Sequence, residues 1–453
     1  MDKNVILLEN NAEKLFELGR FFEHGFGTKI DTDAAVMAYS KAASLGLAKA
    51  QSLLGAFYSL GKFVEKNEPL GFELTMKAAE QGCPSSQFNA STMLYLGLGV
   101  EQDFEAAWLW LVKSAENGQE KAQFNLANFL ENGNGVEQDF VLAAKWYFEA
   151  ANQGVAEAQH NLAMLYQNGH GVEKNDQKAF EWFQKAAENG NVLAQASLGN
   201  IYSMGIGVPV DESQAFKWYS IAALQGNLTS QFNVALMHEN GRATPKNNQI
   251  AAMWYGRAAV GGFIEAQNSL GVMYEDGDGV EQSFNTAAYW YKEAAMAGCT
   301  QAQTNMGRMH RFGRGVKKSA KLAEKWLRIA AMRNDPDAMF FLIEMTESGE
   351  ITLPEGESIE SWIERAGEHG DAYTQAQVGD CYLNGYCGLD PNRAPYWYKR
   401  SADQGCEEAI TALINIYSEV EVWSGAVPEF VQEQADKGNK IAQGLIAQAK
   451  KMG

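Results

Sequence analysis

The chain has 453 residues, 46% of them hydrophobic, and carries a formal net charge of −19 at pH 7 with a pI near 4.9. This charge disfavours nucleic acid as a partner, because phosphate binding needs concentrated lysine and arginine that the chain does not provide. A basic partner suits the acidic charge better. The five cysteines are an odd number in a long chain, so they do not describe a disulfide framework.

Neither a signal peptide nor a membrane span is predicted. The first residues, Met1 to Leu8, lack the basic region and the apolar length of a signal peptide. No later stretch approaches the apolar length of a membrane-spanning helix. We therefore expect a cytoplasmic protein, with residues 1–13 forming an N-terminal cap.

A repeat of 36 residues organises the chain from its first glycine turn onward. Glycine recurs at this step at Gly25, Gly61, Gly97, Gly133, Gly169, Gly205, Gly241, Gly277, Gly313, Gly349 and Gly385. A second series in register runs from Gly46 to Gly298, has Asn334 in place of glycine and resumes at Gly370. A fixed period of this length is the signature of stacked repeats in a solenoid.

Each repeat is predicted to contain two helices, here called helix A and helix B. In one repeat, apolar residues recur at helical spacing through Ala158, Leu162 and Tyr166, and Gly169 can end this helix A in the left-handed conformation. Six residues past that glycine, a residue type favoured at helix N-caps opens helix B in successive repeats. These residues are Asp31, Asn67, Asp103, Asp139, Asn175, Asp211, Asn247, Ser283 and Ser319.

Tryptophan recurs in helix B and is predicted to belong to the core, not to a cofactor site. It lies on the same helical stripe as the small alanines, which let neighbouring helices approach closely. These residues are Trp110, Trp146, Trp182, Trp218, Trp254, Trp290 and Trp326. Since no strand pattern occurs, the sequence predicts an all-α fold.

The complete pattern closely resembles the Sel1-like repeat, a relative of the tetratricopeptide repeat. Residues 266–295 match it nearly in full, with Ala266-Gln267, Leu270-Gly271 and Trp290 in place. The resemblance covers residues 14–405 as eleven repeats, and residues 406–453 would form a degenerate repeat and a C-terminal cap helix. It implies a right-handed superhelical α/α solenoid of about twelve helix-turn-helix repeats, whose helix A side lines a concave groove.

Two segments depart from the repeat pattern. The repeat beginning at Ala338 has Ile343 and Thr346 at positions that are usually small and aromatic, and Pro354 lies in its turn. We expect a bend or softer packing there. Residues 423–427 fit no repeat.

The repeats carry no pattern of catalytic or metal-binding residues. The six histidines are scattered without metal spacing, and His238 and His310 stand where other repeats have tyrosine. Turns such as Gly133-Asn134-Gly135 resemble phosphate loops only superficially, because they lack a preceding strand and a Gly-Lys-Ser/Thr ending. We predict that the protein is not an enzyme and needs no cofactor or metal.

The groove implied by the resemblance supplies the candidate binding residues. Counted from the first alanine of helix A as zero, positions 2, 6 and 9 point away from the framework positions at about 100° per residue. Aromatic, apolar and acidic side chains alternate there, which suits a partner segment with apolar and basic residues. The candidates are Phe88, Tyr95, Phe124, Asn128, Glu131, His160, Met164, Gln167, Asn200, Phe232, Leu236 and Glu239.

Other interpretations of these helix A positions stay open. The aromatic residues at position 2 could pack on the preceding helix B instead of contacting a partner. The glutamines at position 1, from Gln51 to Gln303, could satisfy backbone groups between repeats. Cys381 and Cys387 flank a loop and could in principle pair.

Two hypotheses about function follow. The first is a non-catalytic adaptor or scaffold that binds a partner protein or peptide, with a basic segment, in the groove lined by helix A. The second is a cytoplasmic immunity protein that sequesters a bacterial toxin or effector, a use that some similar bacterial proteins are thought to have. Neither hypothesis involves nucleic acid or a membrane span.

Overall fold

A computed structural model describes residues 6, 9–26, 29–354, 356–419 and 429–452. Their regular structure is helical throughout. The first helices of successive pairs, helix A, are Ala12–His24, Ala48–Leu60, Pro84–Leu96, Glu120–Asn132, Ala156–Asn168, Val192–Met204, Leu228–Asn240, Ile264–Asp276, Thr300–Phe312, Pro336–Glu347, Ala372–Leu383 and Glu407–Glu419. The second helices, helix B, are Thr32–Ser44, Glu68–Glu80, Phe104–Glu116, Phe140–Asn152, Asp176–Glu188, Glu212–Leu224, Asn248–Val260, Phe284–Met296, Ala320–Ala331, Ile359–His369, Ala394–Ala402 and Glu429–Asp436.

The predicted all-α fold of repeated helix pairs is confirmed. A last helix, Lys440–Met452, follows the pairs, and two short 3₁₀ helices, Tyr386–Gly388 and Pro391–Arg393, precede the helix B at Ala394–Ala402. The chain divides into two compact units, Met1–Ser230 and Gln231–Gly453, and each is described here by itself.

The glycine turns explain why helix A stops at the same place in most repeats. Gly169 adopts the left-handed conformation with φ 74°, and its N–H donates to the carbonyl of Leu165. Two residues later, Gly171 has φ 69°, and a Cβ there would lie 2.1 Å from the carbonyl oxygen of Phe140 in the preceding repeat. Glycine is therefore favoured at this position by the turn and required by the close approach of two repeats.

The second glycine series is only partly as predicted. Asn334 takes the left-handed conformation with φ 64°, and Arg365 donates to its Oδ1 from Nε at 3.0 Å. Gly370, by contrast, is extended, with φ −81° and ψ 165°. A Cβ on Gly370 would meet Thr374 at 2.3 Å, so glycine stands there for close packing and not for a left-handed turn.

The nine predicted N-cap residues all accept a hydrogen bond from the first turn of helix B. Asp139, for example, accepts from the N–H of Leu142 at 2.9 Å, and Asn175 accepts from the N–H of Lys178 at 2.9 Å. These bonds satisfy amides that would otherwise lack a partner at the helix start. The same holds for Asp31, Asn67, Asp103, Asp211, Asn247, Ser283 and Ser319.

The most deeply buried aromatic residue of helix B is the one after the predicted tryptophan. Tyr147 is fully buried, whereas Trp146 beside it is half-buried. Trp182 is buried at 8% exposure, yet Lys185 Nζ still lies 4.0 Å from its ring centroid. The tryptophans therefore pack at the edge of the predicted core, two of the seven buried and five half-buried, whereas the residue that follows each of them lies deeper.

Glutamines at position 1 of helix A join neighbouring repeats. Gln123 Nε2 donates to the carbonyl of Ala115 in the preceding helix B at 3.1 Å, and its Oε1 accepts from Gln153 Nε2 at 2.8 Å. The interpretation that these glutamines belong to the framework is thereby confirmed. The same donation to a helix B carbonyl is made by Gln51, Gln87, Gln159, Gln195, Gln267, Gln303 and Gln375.

The predicted cap segments are only partly covered. Of residues 1–13, the structure describes Ile6 and residues 9–13, and residues 423–427 lie outside the described part of the chain. The boundaries 1–13, 14–405 and 406–453 stay predictions. All five cysteines, Cys381 and Cys387 among them, are free thiols.

Candidate protein-binding site

The twelve predicted candidates all lie on helix A segments, in five successive repeats. Nine belong to the first unit, and Phe232, Leu236 and Glu239 belong to the second. Tyr95 is 44% exposed, and the other eleven are half-buried. Whether any of them contacts a partner stays a prediction, but their neighbours differ in an informative way.

The two glutamates among the candidates are held by buried tyrosines. Glu131 Oε2 accepts from the hydroxyl of Tyr147 at 2.6 Å, and Glu239 Oε2 accepts from Tyr255 at 2.6 Å. Burial and then the adjacent carboxylate raise the pKa of both tyrosines well above the usual range. Each glutamate therefore already has a partner within its own repeat.

This tyrosine–glutamate pair recurs at a fixed spacing of 16 residues. Tyr39 donates to Glu23 at 2.8 Å, and Tyr291 donates to Glu275 at 2.9 Å. Where helix B has another residue than tyrosine, the glutamate is absent too, as in the pairs Ser59 with Thr75, Tyr95 with Leu111, Gln167 with Phe183 and Arg311 with Leu327. The sequence carried this signal, which could have assigned both glutamates to the framework.

Aromatic candidates at position 2 pack against helix B of their own repeat. The ring centroids of Phe124 and Tyr147 are 5.9 Å apart, and those of Phe232 and Tyr255 are 5.4 Å apart. His160 takes the same place, 5.5 Å from Phe183. The alternative proposed from sequence named the preceding helix B, whereas these contacts are with the helix B that follows in the chain.

Two polar candidates, Asn200 and His160, also contact helix B of their own repeat. Asn200 Oδ1 accepts from the hydroxyl of Tyr219 at 2.6 Å. Burial lowers the pKa of His160, whose Nδ1 is buried without a hydrogen-bond partner. This imidazole is therefore kept neutral by its surroundings.

Phe88 and Tyr95 have a different environment, because both line a cavity of about 980 Å³. The cavity lies between the helices Pro84–Leu96, Phe104–Glu116 and Glu120–Asn132. Phe104, Trp108 and Phe129 complete its aromatic lining. The centroid of Tyr95 is 5.3 Å from that of Phe104 and 6.1 Å from that of Phe129. Sequence analysis found two of the five rings, because it considered only positions 2, 6 and 9 of helix A, whereas Phe129 is at position 7 and Phe104 and Trp108 belong to helix B.

A local departure from the repeat explains the cavity. At Gly171 and Gly315 a Cβ would come within 2.1 and 2.0 Å of the first residue of the preceding helix B, whereas at Gly135 nothing lies within 4 Å. The turn at Gly135 therefore stands away from Phe104 instead of packing on it. Leu111, which also lines the cavity, replaces the large buried tyrosine of other repeats and leaves further space.

The surroundings of the cavity are apolar and acidic. Phe104 is 58% exposed and Leu96 is 56% exposed at its edge. Exposed carboxylates stand in or next to the lining segments, namely Glu101, Asp103, Glu105, Glu137 and Asp139. Residues 78–112 and 122–144 contain neither lysine nor arginine.

Acidic groups of the second unit are instead paired with arginine. Glu275, only 5% exposed, accepts from Arg308 Nη2 at 2.6 Å, and Arg314 Nη1 lies 3.6 Å from its other oxygen. Arg311 Nη1 donates to Glu344 at 2.6 Å. These carboxylates of the second unit thus have an arginine partner, whereas the acidic residues near the aromatic cavity lie in segments without lysine or arginine.

The described residues offer no site for metal chemistry. Within them, no group of three or more histidine, cysteine, aspartate or glutamate side chains is arranged to hold a metal ion. None of the described helices combines the length and apolarity that crossing a bilayer requires.

The chain belongs to the Sel1 repeat family. The model of the Sel1 repeat matches residues 15–47, 48–83, 84–119, 120–155, 156–191, 192–227, 228–262, 264–299, 300–335 and 372–406. The unmatched stretch 336–371 contains the repeat that departs from the pattern in sequence, although it still forms the helix pair Pro336–Glu347 and Ile359–His369.

Solved structures agree with this assignment. A protective antigen of uropathogenic Escherichia coli that displays an SLR fold is 29% identical, with a TM-score of 0.82 over 100% of this chain and 98% of that one. A Sel1 repeat protein from Oxalobacter formigenes is 30% identical, with a TM-score of 0.53 over 68% of this chain and 89% of that one. No curated protein matches the sequence.

The Sel1 repeat solenoid is a fold typical of protein-interaction scaffolds and is generally non-catalytic. Such repeats present extended surfaces to partner proteins. An immunity protein from Pseudomonas aeruginosa is also similar, but its TM-score of 0.31 and identity of 22% are too low to support an argument about function.

Proposed function

We propose that this protein is a non-catalytic scaffold that binds a partner protein at the aromatic cavity of its first unit. The observation that carries the proposal is the cavity itself, about 980 Å³ in volume and lined by five aromatic rings. Aromatic residues dominate the energetics of protein interfaces, and binding energy concentrates where they form a pocket.

The contacts within each repeat favour this cavity over the rest of the predicted groove. Phe124, Glu131, Phe232 and Glu239 already pack on, or bond to, a buried tyrosine. Replacing them would disturb the fold together with any binding. Phe88 and Tyr95 instead border open space. A partner can contact these two without breaking an internal bond.

Site-specific crosslinking tests the proposal in the native host. A photoreactive benzoylphenylalanine replaces Tyr95 in the full chain, and the matched control replaces Tyr289, which is 55% exposed in the second unit. We expect one discrete crosslinked protein from position 95 and none from position 289. Equal crosslinking at both positions, or none at position 95, would contradict the proposal.

The same experiment separates the two forms of the function. An adaptor would crosslink to one of the host cell's own proteins. An inhibitor of the immunity type would crosslink to a toxin or effector, supplied in the experiment by expression in the same cell. The net charge of −19 suits a basic partner in either case.

A further inference from the structure

We propose that the aromatic cavity receives the cationic side chain of a partner segment, a lysine or an arginine flanked by an apolar residue. This inference rests on the proposed function and names the chemistry of the partner at the same site. It concerns the cavity lined by Phe88, Tyr95, Phe104, Trp108 and Phe129.

The first argument is the electrostatics of the lining. Aromatic rings present a negative face that attracts ammonium and guanidinium groups. Glu105 is the charged residue of the lining, and it is exposed. The lining contains neither lysine nor arginine, so a bound cation would meet aromatic rings and one carboxylate, and no positive charge.

The second argument comes from the other rings of this protein. On helix B, Lys113 Nζ lies 4.4 Å from the ring centroid of Trp110, and the guanidinium of Arg257 lies 4.5 Å from that of Trp254. Among the described residues, no lysine or arginine covers any of the five rings of the cavity in this way. The cavity is thus lined by aromatic rings that lack the internal cation found on rings elsewhere.

The third argument is the charge of the sequence next to the lining residues. Glu101, Asp103, Glu137 and Asp139 are exposed, and residues 78–112 contain no basic side chain, although Lys113 and Lys121 follow on the lining helices. This excess of acid favours encounter with a basic segment over an acidic one.

The volume of the cavity limits how much of the partner segment can enter it. Ligand pockets in proteins typically measure about 300–1,000 Å³, so 980 Å³ is generous for one side chain. Leu96 and Phe104, exposed at the edge, offer contact for an apolar neighbour. The expected recognition element is therefore a cation next to an apolar residue.

This inference is tested by selecting displayed random dodecapeptides for binding to the full-length protein. The selection makes no assumption about the partner. Selected peptides are synthesised, and their affinities are measured by calorimetry at 50 and 300 mM NaCl. We expect enrichment of lysine or arginine beside an apolar residue, and weaker binding at the higher salt concentration because screening reduces the attraction.

Substitutions of Tyr95 separate the ring effect from apolar contact. Tyr95→Phe keeps the ring face and should leave the affinity unchanged, whereas Tyr95→Leu keeps apolar area and should lower it about 3- to 10-fold. Glu105→Gln should weaken binding mainly at low salt. Tyr289→Leu, at an exposed tyrosine of the second unit, is the control and should have no effect. Circular dichroism checks that each variant is folded.

The outcomes distinguish the two proposals. Neutral or acidic peptides that still depend on Tyr95 or Phe104, or equal binding by Tyr95→Phe and Tyr95→Leu, would overturn the cation inference and leave the docking site standing. If no peptide is selected, or if binding is the same in Tyr95→Leu, Phe104→Ala and Tyr289→Leu, both the inference and the proposed function fail.

Discussion

The pair formed by a buried tyrosine and a glutamate 16 residues earlier shows how individual residues divide between framework and surface. Tyr255 and Glu239 meet at 2.6 Å, and Tyr291 and Glu275 meet at 2.9 Å. A repeat with Phe183 instead pairs it with Gln167. A glutamate on the helix A face is therefore part of the packing wherever its tyrosine is present.

We predict that Tyr255→Phe lowers the free energy of unfolding by about 1–2 kcal/mol, because it leaves Glu239 half-buried without its donor. The double variant Tyr255→Phe with Glu239→Gln copies the natural Phe183 and Gln167 pair. It should cost less than the sum of the two single variants in a urea denaturation cycle. Additive costs would mean that the two residues do not interact energetically.

His160 provides a second prediction at the residue scale. Burial lowers its pKa in the folded protein, so below the unfolded value of about 6.5 the unfolded chain binds a proton that folded His160 resists. Its contribution to stability is therefore lost as the pH falls. His160→Phe installs the residue type found at Phe124 and Phe232. The melting temperature of this variant should fall less than that of the wild type when the pH is lowered from 7.5 to 5.5. Parallel pH profiles would contradict this.

At the scale of the turn and helix, the close approach of neighbouring repeats depends on glycine, because glycine has no side chain. Gly171 and Gly135 both have positive φ, 69° and 74°, but a Cβ on Gly171 would collide with Phe140 and one on Gly135 would meet open space. Ala243 occupies the equivalent place with φ 56°, which shows that this repeat accommodates a methyl group there.

Accordingly, Gly135→Ala should cost only the strain of the left-handed conformation, about 1 kcal/mol. Gly171→Ala should cost clearly more, since Phe140 must also move. Thermal unfolding of the two variants measures the difference. Equal losses would show that the turn at Gly135 also packs on the preceding repeat, and the account of how the cavity arises would fail.

The ladder of glutamines offers a stabilising substitution. Gln123 accepts from Gln153, but the corresponding partner of Gln267 is Ala297, and the buried Oε1 of Gln267 has no hydrogen-bond partner in the structure. Ala297 has nearly the same backbone conformation as Gln153. Ala297→Gln should therefore raise the free energy of unfolding by about 0.5–1.5 kcal/mol. The reverse change, Gln153→Ala, should lower it, and a stability unchanged in both variants would refute the ladder's role.

The sequence predicted the helix pairs and their boundaries well because these depend on local chemistry. Asp139 and Asn175 cap helices from their own first turn, and Gly169 ends one through its own backbone. The failures concern side-chain packing that is particular to one repeat. Gly370 is extended, and a Cβ there would meet Thr374 at 2.3 Å, a close contact that the repeat period does not predict.

The candidate site was predicted less completely for the same reason. Counting positions on helix A identifies Phe88 and Tyr95, but the cavity also needs Phe104 and Trp108 from helix B and Phe129 from the next repeat. A helical period describes one helix at a time. It gives no indication that the turn at Gly135 stands away from its neighbour.

At the scale of the whole molecule, charge and exposed aromatic area coincide in the first unit. Arginine pairs such as half-buried Arg308 with buried Glu275 neutralise some acid in the second unit, while the acidic residues next to the lining of the aromatic cavity are exposed. The excess charge of −19 therefore has a place where it can act on a partner.

The most direct test of the central claim uses the partner protein that is identified by crosslinking at position 95. Its affinity is measured for purified variants of the full chain. We predict that Tyr95→Ala with Phe104→Ala weakens binding at least about tenfold, as removal of two interface aromatics does. The matched pair Met253→Ala with Tyr289→Ala, exposed residues of the second unit, should leave it unchanged. Equal affinity of both double variants and the wild type would contradict the claim that the aromatic cavity is the docking site.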